Sequence, residues 1–148
     1  MLGYMTLRKW RKNQNGNAVV EFALILPVLL IMGLGLVDAG RAIGANARLG
    51  TGVESGLRYA LADAYADAEI SGAAIDGSRY AEGEASVDVT RFCECPDGSA
   101  VDCSGTCAQG YKRIYVQIAM AHTQDTLFSY PVLGSSITVN RTGALQIP

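Results

Sequence analysis

The chain has 148 residues, 49% of them hydrophobic and 18% charged, and its mean hydropathy is +0.18. That length holds one ordinary domain, or a smaller domain with a membrane segment, and excludes a two-domain enzyme and a multi-span transporter. The net charge of -2 is unevenly laid out: Arg8, Lys9, Arg11 and Lys12 stand in residues 1–16 with no acid, which leaves -6 on the remainder. An acidic body argues against a nucleic-acid partner, because neutralising phosphates needs a basic face.

Residues 1–16 read as a basic cytoplasmic leader. Residues 17–37 follow as an apolar run broken only by Glu21 and containing 13 Leu, Ile, Val or Phe residues. At 1.5 Å per residue the run spans about 30 Å, the thickness of one bilayer core. Those side chains contribute roughly -4 to -8 kcal/mol to insertion, against less than the roughly +2.5 to +3.5 kcal/mol of a central acid for Glu21 near the end of the span. Insertion therefore wins with Glu21 charged. Four bases before the span against Arg41 and Arg48 after it place the amino terminus in the cytoplasm. The expectation is a membrane crossed once, with residues from about Asp38 onward outside it, in a bacterium the periplasm or cell exterior. A cleavable secretory signal ending at Ala45-Asn46-Ala47 fits poorly, because Asp38 and Arg41 lie between the apolar run and that site.

An acid one turn into a membrane helix either finds a functional partner or marks the interface edge, where the helix macrodipole favours it. The surrounding residues tip the balance. Gly16 is followed by Asn17, Ala18, Val19, Val20, Glu21 and Phe22, an arrangement that resembles the class III signal sequence of type IV pilins and pseudopilins. The longer run from Gly16 through Glu21-Phe22-Ala23 and Pro27 to Leu30 resembles the TadE-like family of the tight-adherence (Tad, Flp) pilus system, with a TadE-like segment set at residues 16–58. A weaker echo at the other end is Tyr130-Pro131-Val132-Leu133 followed by Ile137 to Thr142, similar to the closing strands of these proteins.

The resemblance implies a processing junction at Gly16 and Asn17, cut by a prepilin peptidase, and a subunit-register role for Glu21. Its implied partners are the lipid bilayer, other pilin or pseudopilin subunits and the pilus assembly platform. Its charge logic is sound: an amino group exposed at Asn17 is cationic below a pKa of about 8, and a neighbouring carboxylate can neutralise it in an apolar filament core.

Pro27 removes a backbone donor inside the run, and a bend near residues 22–27 is expected in place of a break. Gly40-x-x-x-Gly44 and Gly52-x-x-x-Gly56 read equally well as close helix contacts or as local looseness. Leu49, Val53, Leu57, Ala60, Ala64 and Ala68 continue a helical stripe, so residues 38–70 are expected as an extramembrane helix, the whole running from Asn17 to about Glu69, continuous or hinged near Gly50.

Residues 71–148 are expected as an extracytoplasmic β-rich domain. Residues 71–84, with Gly72, Asp76-Gly77 and Gly83, read as a connecting loop. Alternation around 87–90, 114–120 and 137–139 predicts three or four antiparallel strands. The fold class is α+β: a long N-terminal transmembrane helix continuing into a pilin-like stem packed on a small antiparallel sheet.

Cys93, Cys95, Cys103 and Cys107 form a loop, residues 93–107, and on an oxidising side they read as disulfides. Joining Cys93 to Cys95 is disfavoured as a strained C-x-C closure, which leaves a nested and a crossed pairing. A zinc site fits less well, because C-x-C departs from the usual ligand spacing and no histidine is near. His122, the only histidine, reads as structural or surface. No phosphate loop, HExxH pair or EF-hand is present, so no catalytic residue, metal ligand or cofactor is expected. The functional expectation is a non-enzymatic TadE-like pseudopilin or minor-pilin-type protein in pilus or secretion-filament assembly and adhesion. The alternative is a membrane-anchored extracytoplasmic binding module unrelated to pili.

Overall fold

From Asn17 onward the chain holds 44 residues of unbroken α-helix, α1 (Asn17–Ala60), which continues through both Pro27 and Gly50. The computed structural model describes residues 17–108, 110–130 and 134–147. The basic leader and the segment 131–133 lie outside the described residues. Two compact units divide at residues 37 and 38, inside the span of α1.

In the first unit the described helix is apolar and exposed on every side. Leu24 and Leu36 keep 74% and 73% of their surface, an arrangement unfavourable in water by the cost of solvating apolar area. Its most apolar 18-residue window has a mean hydropathy of 2.5 and none of it is buried, so α1 is long and apolar enough to cross a membrane once.

In the second unit the remainder of α1 is followed by α2 (Asp67–Ser78), β1 (Ala85–Glu94), β2 (Ala100–Val101), β3 (Arg113–Tyr130) and β4 (Gly134–Ile147). The four strands are antiparallel in the order β2-β1-β3-β4. The register sets Val89 against Ile118 and Ile118 against Gly143, so one face collects Val87, Val89, Ile114, Val116, Ile118, Met120, Val139 and Ile147. The opposite face carries Ser86, Asp88, Thr90, Thr123, Thr138 and Thr142, all exposed. This is the alternation of a sheet with one covered and one solvated side. Leu49, Val53 and Ala60 of α1 and Ile70 and Ala74 of α2 complete the core. Each fully buried large side chain there contributes about 1.5–3 kcal/mol of apolar transfer.

The expected α+β architecture is therefore present, with two corrections in the stem. The helix does not reach Glu69: it ends at Ala60, and residues 71–84 are not a loop, because α2 occupies most of them. The N–H groups of Ala62 and Asp63 both turn back to the Tyr59 carbonyl, and the Asp63 carboxylate accepts from Tyr65 N–H at 3.0 Å. The alanines at 60, 64 and 68 have helical spacing but little area to bury. Reversal at 61–66 instead brings Ile70 and Ala74 to full burial. Glycine makes that packing possible. A Cβ on Gly52 would stand 2.7 Å from the Ala74 carbonyl oxygen, and one on Gly56 would stand 2.7 Å from Ile118 Cδ1. The Gly52-x-x-x-Gly56 pair is thus a close-contact surface used within the chain. Among the described residues, nothing beyond the adjoining backbone of α1 lies within 4 Å of where a Cβ on Gly40 or Gly44 would stand.

Arg91 locks the reversal. It sits at an inward position of β1, donates through Nε to the Ala64 carbonyl at 2.9 Å, pairs with Asp67 and lies over the Tyr65 ring. The hydrogen bond from Arg91 holds the Asp67 carboxyl below its ordinary value, against a smaller opposing effect of desolvation. A carboxyl lowered in the folded state stabilises above its unfolded pKa of about 3.9, and that stability is lost as pH falls through the folded value. Thermal melts taken from neutral pH to below about pH 4 should therefore fall more steeply in the parent protein than in Asp67→Asn.

Candidate functional site

In the first unit, Asn17 opens α1, and Glu21 and Pro27 lie on its exposed apolar stretch. Glu21 is one helical turn from the start of α1. Gly16 lies outside the described residues, as does the Asn17 side chain.

In the second unit all four cysteines are paired, Cys93 with Cys103 and Cys95 with Cys107. Of the two pairings left open by spacing, the crossed one is present. Sheet geometry decides it. The strand β2 folds back on β1 with Cys93 opposite Val101 and Glu94 opposite Ala100, and Cys103 follows two residues after Val101. The Cα atoms of the bridges are 5.1 and 5.6 Å apart, within the range a disulfide accepts. Closing loops of 10 and 12 residues contributes roughly 3 kcal/mol each in the chain-entropy description.

Local hydrogen bonds shape the same loop. Asp97 accepts from Ser99 N–H at 3.0 Å and from its hydroxyl at 2.6 Å, and Asp102 does the same with Ser104 at 2.8 and 2.5 Å. The Ser104 hydroxyl, then its N–H, and more weakly the charge of Lys112, hold the Asp102 carboxyl below its ordinary value. Lys112 in turn donates to the Cys103 carbonyl. The result is an exposed, doubly bridged loop on a rigid sheet edge, the kind of surface that presents binding residues.

A third group of residues was not foreseen in the sequence. Asp38, only 3% exposed, accepts from Leu127 N–H at 3.0 and 3.1 Å through both carboxylate oxygens. Arg41 lies 3.4 Å from the same carboxylate and donates to the Asp125 carbonyl at 3.1 Å. Together they join the start of this unit's helix to the end of β3. The only advance signal was a charged residue directly after an apolar run, and its partner lies 89 residues away. His122, expected as structural or surface, is stacked on Tyr80 with ring centroids 4.3 Å apart, and its Nδ1 is 2.6 Å from the Glu84 carbonyl oxygen. A carbonyl only accepts, so Nδ1 carries the proton.

The family model for TadE-like protein matches residues 16–58, from the residue before α1 to within two residues of its end. That match agrees with the resemblance read from Gly16, Glu21-Phe22-Ala23 and Pro27, and it suggests a membrane protein associated with the tight-adherence pilus system. No curated protein and no solved structure matches the chain.

Proposed function

From the TadE-like segment at residues 16–58, we propose that this protein is a pseudopilin or minor-pilin-type subunit, without catalytic activity, that takes part in assembly of a Tad pilus or a related secretion filament. The observation that carries the reading is the exposed apolar helix of residues 18–37 with Glu21 near its start. Such a surface needs lipid before assembly and matching helices afterwards. A prepilin peptidase removes the leader between Gly16 and Asn17. The new amino group then pairs with Glu21 of a neighbouring subunit and sets the axial register. The helix crosses the inner membrane once, with Asp38 onward on the outer side, where the pilus assembly platform and other subunits receive it. The crossed disulfides support that orientation, because they persist in an oxidising compartment.

Amino-terminal sequencing of the membrane-extracted protein tests this. A mature chain beginning at Asn17 is the expected result; one beginning at Arg48 indicates a secreted product, and one retaining Met1 removes the processing step. The doubly bridged loop favours a second reading, an anchored module that binds an extracytoplasmic ligand. In that reading Glu21 has no part in complex formation.

A further inference from the structure

In the second unit, Arg41, Gly44, Ala45 and Arg48 of α1 line a cavity of about 320 Å³ together with Tyr80, His122 and Gln124. Arg41 and Arg48 bring two positive charges to it. The Arg48 guanidinium lies 5.7 Å from the centre of the Tyr80 ring, and no carboxylate among the described residues lies within 4 Å of it. The acid beside Arg41, Asp38, is buried and already engaged by Leu127 N–H. Glu84 faces His122 through its backbone carbonyl, while its carboxylate accepts from Ala81 N–H. The cavity therefore presents an excess of donors to an anion.

Its place in the chain identifies the source of that anion. Asp38 directly follows Val37, the last residue of the apolar run, and Arg41 is four residues from Val37, at most about 14 Å of fully extended chain. Asp38 also holds Leu127 at that point. Leu127 and Phe128 keep 56% and 42% of their surface, and Ile43 keeps 71%. Exposed apolar side chains in a segment that also presents arginines are the pattern of a segment resting in a bilayer interface.

We propose that this end of the second unit is a phospholipid-headgroup site. The cavity takes the lipid phosphate on Arg41 and Arg48, and Ile43, Leu127 and Phe128 rest on the acyl boundary beside it. The phosphate chemistry is shared with free inorganic phosphate, and the inference rests on residues 17–37 crossing the bilayer.

The test uses the full chain with Trp10→Phe, reconstituted in vesicles of phosphatidylcholine and phosphatidylglycerol. A single tryptophan is placed by Phe128→Trp or, separately, by Leu30→Trp. Lipids brominated near the glycerol are expected to quench the tryptophan at 128, and lipids brominated at the chain end the one at 30. Each basic side chain at an anionic surface changes partitioning by roughly five-fold. Arg48→Gln, an exposed change outside the core, should lower the docked-to-undocked ratio at residue 128 by about five-fold, and adding Arg41→Gln by roughly 30-fold. Quenching at 30 without quenching at 128 overturns the headgroup site and leaves the span intact; loss of both removes the span itself. Quenching at 128 that ignores the arginine changes also overturns the site. Release of residue 128 by added inorganic phosphate makes the free ion the ligand and overturns the lipid source.

Discussion

Glu21→Ala is expected to leave the protein in the membrane and to abolish its recovery with partner subunits. Insertion does not suffer, since removing an acid from the end of an apolar span lowers the cost of burying the helix. Assembly does. In the proposed filament the Asn17 amino group is held in an apolar core, and without the neighbouring carboxylate its charge is uncompensated at about 3–5 kcal/mol. That cost corresponds to between about two and four orders of magnitude in subunit affinity. Co-purification from crosslinked membranes, read beside the membrane-bound amount of the variant, measures both halves of the expectation. Unchanged co-purification would favour the anchored binding module. Glu21→Asp keeps the charge on a shorter side chain and should recover part of the assembly.

Gly52→Ala is expected to destabilise the second unit although alanine is the better helix former. Propensity alone would add about 1 kcal/mol. Against it, the new Cβ would stand 2.7 Å from the Ala74 carbonyl oxygen, 2.7 Å from Met120 Sδ and 2.8 Å from Ser78 Cβ. Met120 has a flexible end that can move, but the Ala74 carbonyl belongs to α2 and cannot yield without shifting that helix. Overpacking of this kind costs typically about 1–3 kcal/mol, and a larger side chain such as leucine should exceed the range. Gly72→Ala supplies the opposite sign, because no atom of the core lies within 4 Å of its Cβ position in α2. It should gain up to about 1 kcal/mol. Denaturant unfolding in detergent with the disulfides intact compares the two directly; a stabilised Gly52→Ala would mean that α1 and α2 do not pack as closely as described.

Both substitutions bear on what was legible in advance. The apolar run was readable because hydropathy depends on composition summed over a short stretch. The strands of the sheet were readable because a half-buried strand must alternate, although β2 (Ala100–Val101), only two residues long, was too short to show alternation. The stem was misread after Ala60, where helical spacing of small alanines persisted while the chain turned. Gly72 and Gly77 looked like breaks when they are helical residues.

Composition and periodicity by themselves determined a long apolar helix at the front, an α+β body and four cysteines destined for bridges, since each depends on residues near one another in the chain. Only the tertiary structure decided where the stem turns back, that Gly52 and Gly56 meet α2, that the bridges cross, and that Asp38 holds Leu127. These depend on which surfaces meet across tens of residues. Whether a contact forms there is set by the area buried and the polar groups satisfied when distant segments come together, and local spacing does not contain that quantity.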